Sequence, residues 1–174
     1  MPTIRDLDKA KAVTMTTPRS IDGIDAGLLR ALTLSPRAAT VSLAEQIGVS
    51  RNTVHARLNR WDDLGALRGF DRRIDPGFLG YPLRAYVFTQ VEQRLLHAVS
   101  ASLAGVPEVI AVDGLSGGDD LLVQVVARDA DDLYRVAGQI LDIRGVERTR
   151  TALVMRELVD FRLAQLLPGS TSAS

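Results

Sequence analysis

The side chains best equipped for chemistry in this chain are arginines and asparagines on one helical period. Val54, Leu58 and Trp61 recur at i, i+4 and i+7, so they mark the inward stripe of a helix beginning after Ser50. The opposite face then presents Arg51, Asn52, Thr53, His55, Asn59 and Arg60, with Ala56 among them and Arg57 at the margin. Arginine can fork onto guanine O6 and N7, and asparagine can pair with adenine N6 and N7. A helix N-terminus adds backbone N–H groups able to receive a phosphate. Beyond Gly65, Arg68, Arg72 and Arg73 fall along a short extended ribbon, where they would neutralise phosphates and position a duplex without reading it. The rival reading is a solvated arginine-rich face on a domain that binds protein. DNA is preferred because the cap, the short turn, the polarity of the helix and the ribbon all agree.

Other chemistries fare poorly. Cysteine is absent and only His55 and His97 carry imidazole, which removes disulfides, thiolate metal sites and cysteine nucleophiles. Neither histidine has a neighbour at metal-ligand spacing, so no metal or cofactor is expected. Gly114-Leu115-Ser116-Gly117-Gly118 fits the G-x-S-x-G pattern of a hydrolase elbow, but a strand rather than a helix follows it and both histidines lie upstream. No catalytic residue is therefore assigned. The 174 residues are 46% hydrophobic and 24% charged, with a mean hydropathy of +0.07, which is the composition of ordinary globular domains. No stretch is long and apolar enough for a membrane helix, and a cytoplasmic location is expected. Net charge is zero, yet residues 1–82 carry 12 basic and 9 acidic side chains and residues 83–174 carry 9 and 12. The basic half is the one with the arginine-bearing helix.

The elements that position these residues form two units. Residues 1–20 lack a sustained apolar period and are expected to be a loose leader. Asp22 should cap a first helix with Ile24, Leu28, Leu29 and Leu32 inward, stopped by Ser35-Pro36. Ser42-Leu43-Ala44-Glu45 has the form of a capping box opening a second helix that ends at Gly48. Ser50 caps the third. Three short helices, a tight turn between the last two and a basic ribbon make a winged helix-turn-helix over 21–75. A connector follows over 76–82. The remainder reads strand (from Leu83), helix (Gln93–Ala104), strand (from Glu108), strand (from Leu121), helix (after Asp129) and a final extended stretch from Val146 to about Phe161. That order is the β-α-β-β-α-β of a ferredoxin-like domain over 83–163, giving an α+β protein whose tail, 164–174, is expected to be flexible. The sheet face bearing Tyr86 and Phe88 is apolar enough to be buried against a second subunit.

The chain resembles the leucine-responsive and asparagine-responsive (Lrp/AsnC, feast/famine) transcription regulators of bacteria and archaea. The resemblance rests, in order, on Ile21-Asp22-Gly23-Ile24-Asp25, on the run from Leu43 to Ser50, on Gly65-Ala66-Leu67-Arg68-Gly69-Phe70, on the run from Leu115 to Asp120, and on the run from Gly145 to Thr151. It implies a DNA-binding domain, a hinge, and a C-terminal domain of the RAM type that dimerises through its sheet and often assembles into octamers. It also implies a small effector, usually an amino acid, bound between subunits. A free amino acid needs an anion site beside a carboxylate. Backbone N–H groups in the turn Ser116-Gly117-Gly118-Asp119 could meet the α-carboxylate, Asp120, matching the family's turn aspartate, could pair with the ammonium, and Thr149 and Thr151, matching its last-strand threonines, could supply hydroxyls. The bland alternative is a hairpin turn that needs Gly and Asp in any case. Leu121 and Gly118 depart from the family's frequent aromatic and acidic residues, and Ala56 and Asp63 replace frequent arginines, so no operator preference carries over.

Overall fold

A computed structural model describes residues 21–67 and 74–169 of the chain. Among these, two compact units separate, 74–158 on one side and 21–67 together with 159–169 on the other.

In the N-terminal unit, helix α1 (Gly23–Leu34) starts where Asp22 accepts the Asp25 N–H at 2.8 Å, and Asp22 N–H reaches back to the Asp25 carboxylate at 3.4 Å. Orphan donors of the first turn are thereby satisfied. Ala26, Leu28 and Ala31 are its buried apolar residues, while Ile24, expected inward, is exposed. The inward place in that turn belongs to Asp25, which is only 5% exposed. Helix α2 (Thr40–Ile47) begins three residues earlier than expected, with Ala39 rather than Ser42 at its N-cap and no side-chain cap. Ser42 thus already lies inside the first turn, and the Ser42–Glu45 capping box does not form. Gly48, at φ +70°, takes the left-handed conformation that lets the chain reverse within three residues. Helix α3 (Arg51–Asp63) opens as expected, with the Thr53 N–H donating to Ser50 Oγ at 3.1 Å. Leu28, Leu43, Ala44, Val54 and Trp61 close one core among the three helices. The ribbon with Arg68, Arg72 and Arg73 lies outside the described residues, as does the expected leader.

In the C-terminal unit, strands β1 (Leu83–Val91), β2 (Val109–Gly114), β3 (Leu121–Ala127) and β4 (Val146–Leu153) form one antiparallel sheet in the order β2-β3-β1-β4. Helices α4 (Leu96–Ala104) and α5 (Ala130–Leu141) complete the expected βαββαβ order. One turn of 3-10 helix, Gln93–Leu95, replaces the start of the fourth helix. Val87, Val99, Leu103, Val123, Val136 and Ile140 are fully covered and knit the helices to one sheet face. Each such aliphatic contributes roughly 1.5–3 kcal/mol by leaving water. The final extended stretch is shorter than expected, since the ladder with β1 ends at Leu153. Residues 164–166 make a single 3-10 turn near α1, and the Arg30 guanidinium donates to the Pro168 carbonyl.

Candidate nucleic-acid interface and ligand turn

Because Val54 and Trp61 point into the three-helix core, α3 must turn its other side outward. Arg51, Asn52, His55, Asn59 and Arg60 are exposed there, with Ala56 between them, and Thr53 is half-buried with its hydroxyl 2.9 Å from that of Ser50. Among the described residues no carboxylate pairs with Arg51 or Arg60. Arg57 behaves differently. Its guanidinium meets Asp22 at 2.7 Å and Asp25 at 2.9 Å. These contacts raise the arginine's pKa, chiefly through the bond to Asp22, and the Asp22 carboxyl is held below its usual range, first by the Asp25 N–H and then by Arg57. Arg57 clamps the DNA-reading candidate helix to the start of α1, a task its marginal position on the stripe did not reveal. The pair Asp22 and Asp25, three apart at a helix start, was the available signal.

The β2–β3 turn is braced from within. Leu115 N–H donates to the Asp120 carbonyl at 2.8 Å, and Gln90 Nε2 donates to the Gly118 carbonyl at 2.6 Å. Asp120 accepts the Val91 N–H at 2.9 Å and Gln93 Nε2 at 2.5 Å, so both of its carboxylate oxygens already hold protein donors. That arrangement is a staple between the turn and the end of β1 rather than an open partner for an ammonium. Gly117 has φ +137°, and nothing stands within 4 Å of a Cβ built at Gly117 or Gly118, leaving their backbone open to approach. Ser116 is exposed beside them. Asp119 lies with Thr149 along a shallow cavity of about 170 Å³ that also touches Phe88, Gln90, Arg148 and Arg150. Arg150 stacks over Phe88 at 4.1 Å and reaches Asp119 at 3.3 Å. The two threonines pair with Thr89 and Val87 on the helix-side face, and Thr151 is not part of the cavity. Phe88, Gln90, Arg148 and Arg150 were missed. Their signal was the strand alternation itself, which puts Arg148 and Arg150 on the face of Phe88.

Residues 21–60 match the AsnC-type helix-turn-helix domain and residues 84–164 the Lrp/AsnC ligand binding domain. Over 144 residues the chain is 33% identical to the HTH-type transcriptional regulator AldR of Mycolicibacterium smegmatis, covering 80% of this chain and 84% of the relative. The chain belongs to the Lrp/AsnC family. Among solved structures, AsnC of E. coli superposes with a TM-score of 0.75 at 26% identity, over 84% of this chain and 99% of that one. A feast or famine regulatory protein of M. tuberculosis, complexed with L-methionine, superposes with a TM-score of 0.73 at 26% identity, over 83% and 98%. This Lrp/AsnC protein is thus a DNA-binding transcription regulator with a ligand-binding domain, and not an enzyme. The same matches agree with the helix-turn-helix and βαββαβ reading of the two units. No described helix is long and apolar enough to cross a membrane.

Proposed function

We propose that this Lrp/AsnC regulator reads double-stranded DNA with Arg51, Asn52, Thr53, His55, Asn59 and Arg60 of α3, while Arg68, Arg72 and Arg73 hold phosphates. The observation carrying this reading is that the outward face of α3 is polar, capped and, among the described residues, free of competing carboxylates at Arg51 and Arg60, while its inner face is locked into a core. Arg57 leaves the base-reading set and becomes the residue that fixes the helix. The C-terminal unit pairs two copies through the sheet face of Tyr86 and Phe88, and such dimers assemble further, up to octamers. Two α3 helices then meet successive major grooves, with half-sites about 10 bp apart or a multiple of that. The protein acts where its DNA is, in the cytoplasm.

The effector is a free amino acid. Its α-carboxylate is received by N–H groups of Gly117 and Gly118 beside Ser116 and its ammonium by Asp119, which shares its carboxylate with Arg150, while the Thr149 side chain, on the helix-side face, leaves the contact set. Asp120 supports this turn from outside the contact set because its oxygens are occupied, and Thr151, beside Val87 on the helix-side face, leaves the set. The L-methionine complex of a relative supports the class of ligand.

Selection of bound duplexes from a random pool, followed by mobility shifts at several salt concentrations, tests the DNA assignment. Paired half-sites at the stated spacing are expected, and recovery of no preferred sequence overturns it. A thermal-shift screen against the amino acids tests the ligand. One of them at 100 times its dissociation constant stabilises by about 2.7 kcal/mol, and a flat result across all of them removes the amino-acid reading.

A further inference from the structure

The sheet face turned away from α4 and α5 has a charge order of its own. In register across the four strands lie Asp113 on β2, Leu122 on β3, Phe88 on β1 and Arg150 on β4. The next row toward Tyr86 runs Ala111, Gln124, Tyr86 and Ala152. Asp113 is exposed at one edge, and Arg150 is 61% exposed at the other, some three strand spacings or roughly 14 Å away. Between them the row is apolar. Among the described residues Asp113 has only a long 3.4 Å contact from Gln124, and Arg150 gives one N–H to Asp119 at 3.3 Å with no other hydrogen-bond acceptor.

A row that reads acid, aliphatic, aromatic, base is complementary to its own reversal. Turning a second copy by 180° about an axis along the strands, passing between β3 and β1, lays β2 over β4. Each Asp113 then stands over the partner's β4 edge, from which Arg150 reaches inward over Phe88, and each Leu122 faces that Arg150–Phe88 stack, while the row above sets Gln124 against Tyr86. Turning the copy about an axis across the strands lays β2 over β2, with like charges facing at both edges. Charge therefore selects between two otherwise similar sandwiches.

Resting on the proposed sheet-to-sheet pairing, we propose that the dimer of this chain is isologous about an axis parallel to the strands, with Asp113 of each copy paired to Arg150 of the other as the contact that sets its register. The occupant of this face is a second copy of the same chain, and the two edge pairs exclude the crosswise packing.

Charge reversal in the full-length protein tests it. D113R and R150D are each expected to weaken homodimerisation by at least about tenfold in sedimentation equilibrium, since each variant puts like charges over one another at both edges. Mixed together, the two variants are expected to form the heterodimer in large excess by native mass spectrometry, because both of its edge pairs are again opposite. The double variant D113R/R150D is expected to recover the homodimer, which separates register from any local effect of losing the Arg150–Phe88 stack. A statistical mixture of homo- and heterodimers, or undiminished homodimers of both single variants, overturns the register. Leu122→Arg distinguishes the underlying reading. If it leaves the dimer intact, pairing through this face is itself wrong, whereas if it breaks the dimer while the charge variants do not, only the Asp113–Arg150 register fails.

Discussion

Arg57 shows how residue type alone misleads. An arginine on a DNA-reading helix invites assignment to a base, yet two carboxylates at the start of α1 hold it, and Asp25 is nearly excluded from water. Removing the arginine leaves that carboxylate without its cation, which costs more than losing a solvent-facing side chain. Arg57→Ala is expected to lower the thermal midpoint of the full-length protein clearly more than Asn59→Ala, as followed by circular dichroism, and also to weaken DNA binding through the misplaced helix. Equal midpoints for the two variants would remove the clamp. Asp120 teaches the same lesson at the turn, because its type suits an ammonium while its hydrogen bonds to Val91 and Gln93 make it a staple. Long-range partners such as Asp25–Arg57, 32 residues apart, are invisible to local patterns. By contrast Ser50, Val54 and Trp61 were legible because cap and stripe are local properties.

At the level of elements, each helix stands on a few covered apolar side chains, and α1, α3 and α5 stand on side-chain caps as well. Asp22 opens α1, and Asp132 in the first turn of α5 accepts the Arg128 N–H at 3.0 Å and binds Arg135. Both carboxyls are held below the ordinary 3.8, Asp22 first by the Asp25 N–H and Asp132 first by that of Arg128. A carboxyl with a depressed folded-state pKa stabilises fully above its unfolded value and loses that contribution as pH falls through the folded value. Thermal stability should therefore be insensitive to these two groups above about pH 5 and should fall progressively below 3.8. The Asp22→Asn, Asp132→Asn double variant should show a shallower acid limb in a pH series of melts, and an unchanged limb would contradict the capping account. Leu43, 1% exposed between α2 and its neighbours, carries the packing side. Leu43→Ala is expected to cost about 2–5 kcal/mol in denaturant unfolding. Element identity was readable from periodicity throughout, whereas ends were not. At α2, Ser42 and Glu45 have the right spacing for a box, but the helix had already begun at Thr40. At β4, the stretch past Leu153 to about Phe161 reads as extended, but only pairing with β1 decides where a strand stops.

For the whole molecule, division of labour follows from charge and topology. The basic half builds a three-helix unit with a polar outward face, and the acidic half builds a sheet with one covered face and one that remains half-apolar. Topology was legible because alternation and helical period succeed one another in an order few folds share. The proposed face-to-face register was not, since it brings Asp113 and Arg150 together only between two copies. In the proposed dimer, function depends on spacing, with a paired scaffold delivering two α3 helices to one side of a duplex. The most direct test is to titrate a selected operator and a scrambled duplex, by fluorescence anisotropy, with the wild-type protein and with the Asn52→Ala and Arg60→Ala variants. Each substitution is expected to lower operator affinity by roughly five- to 150-fold, with a smaller loss on the scrambled duplex, so that discrimination between the two falls. Full retention of that discrimination in both variants would contradict the assignment of α3 as the reading helix.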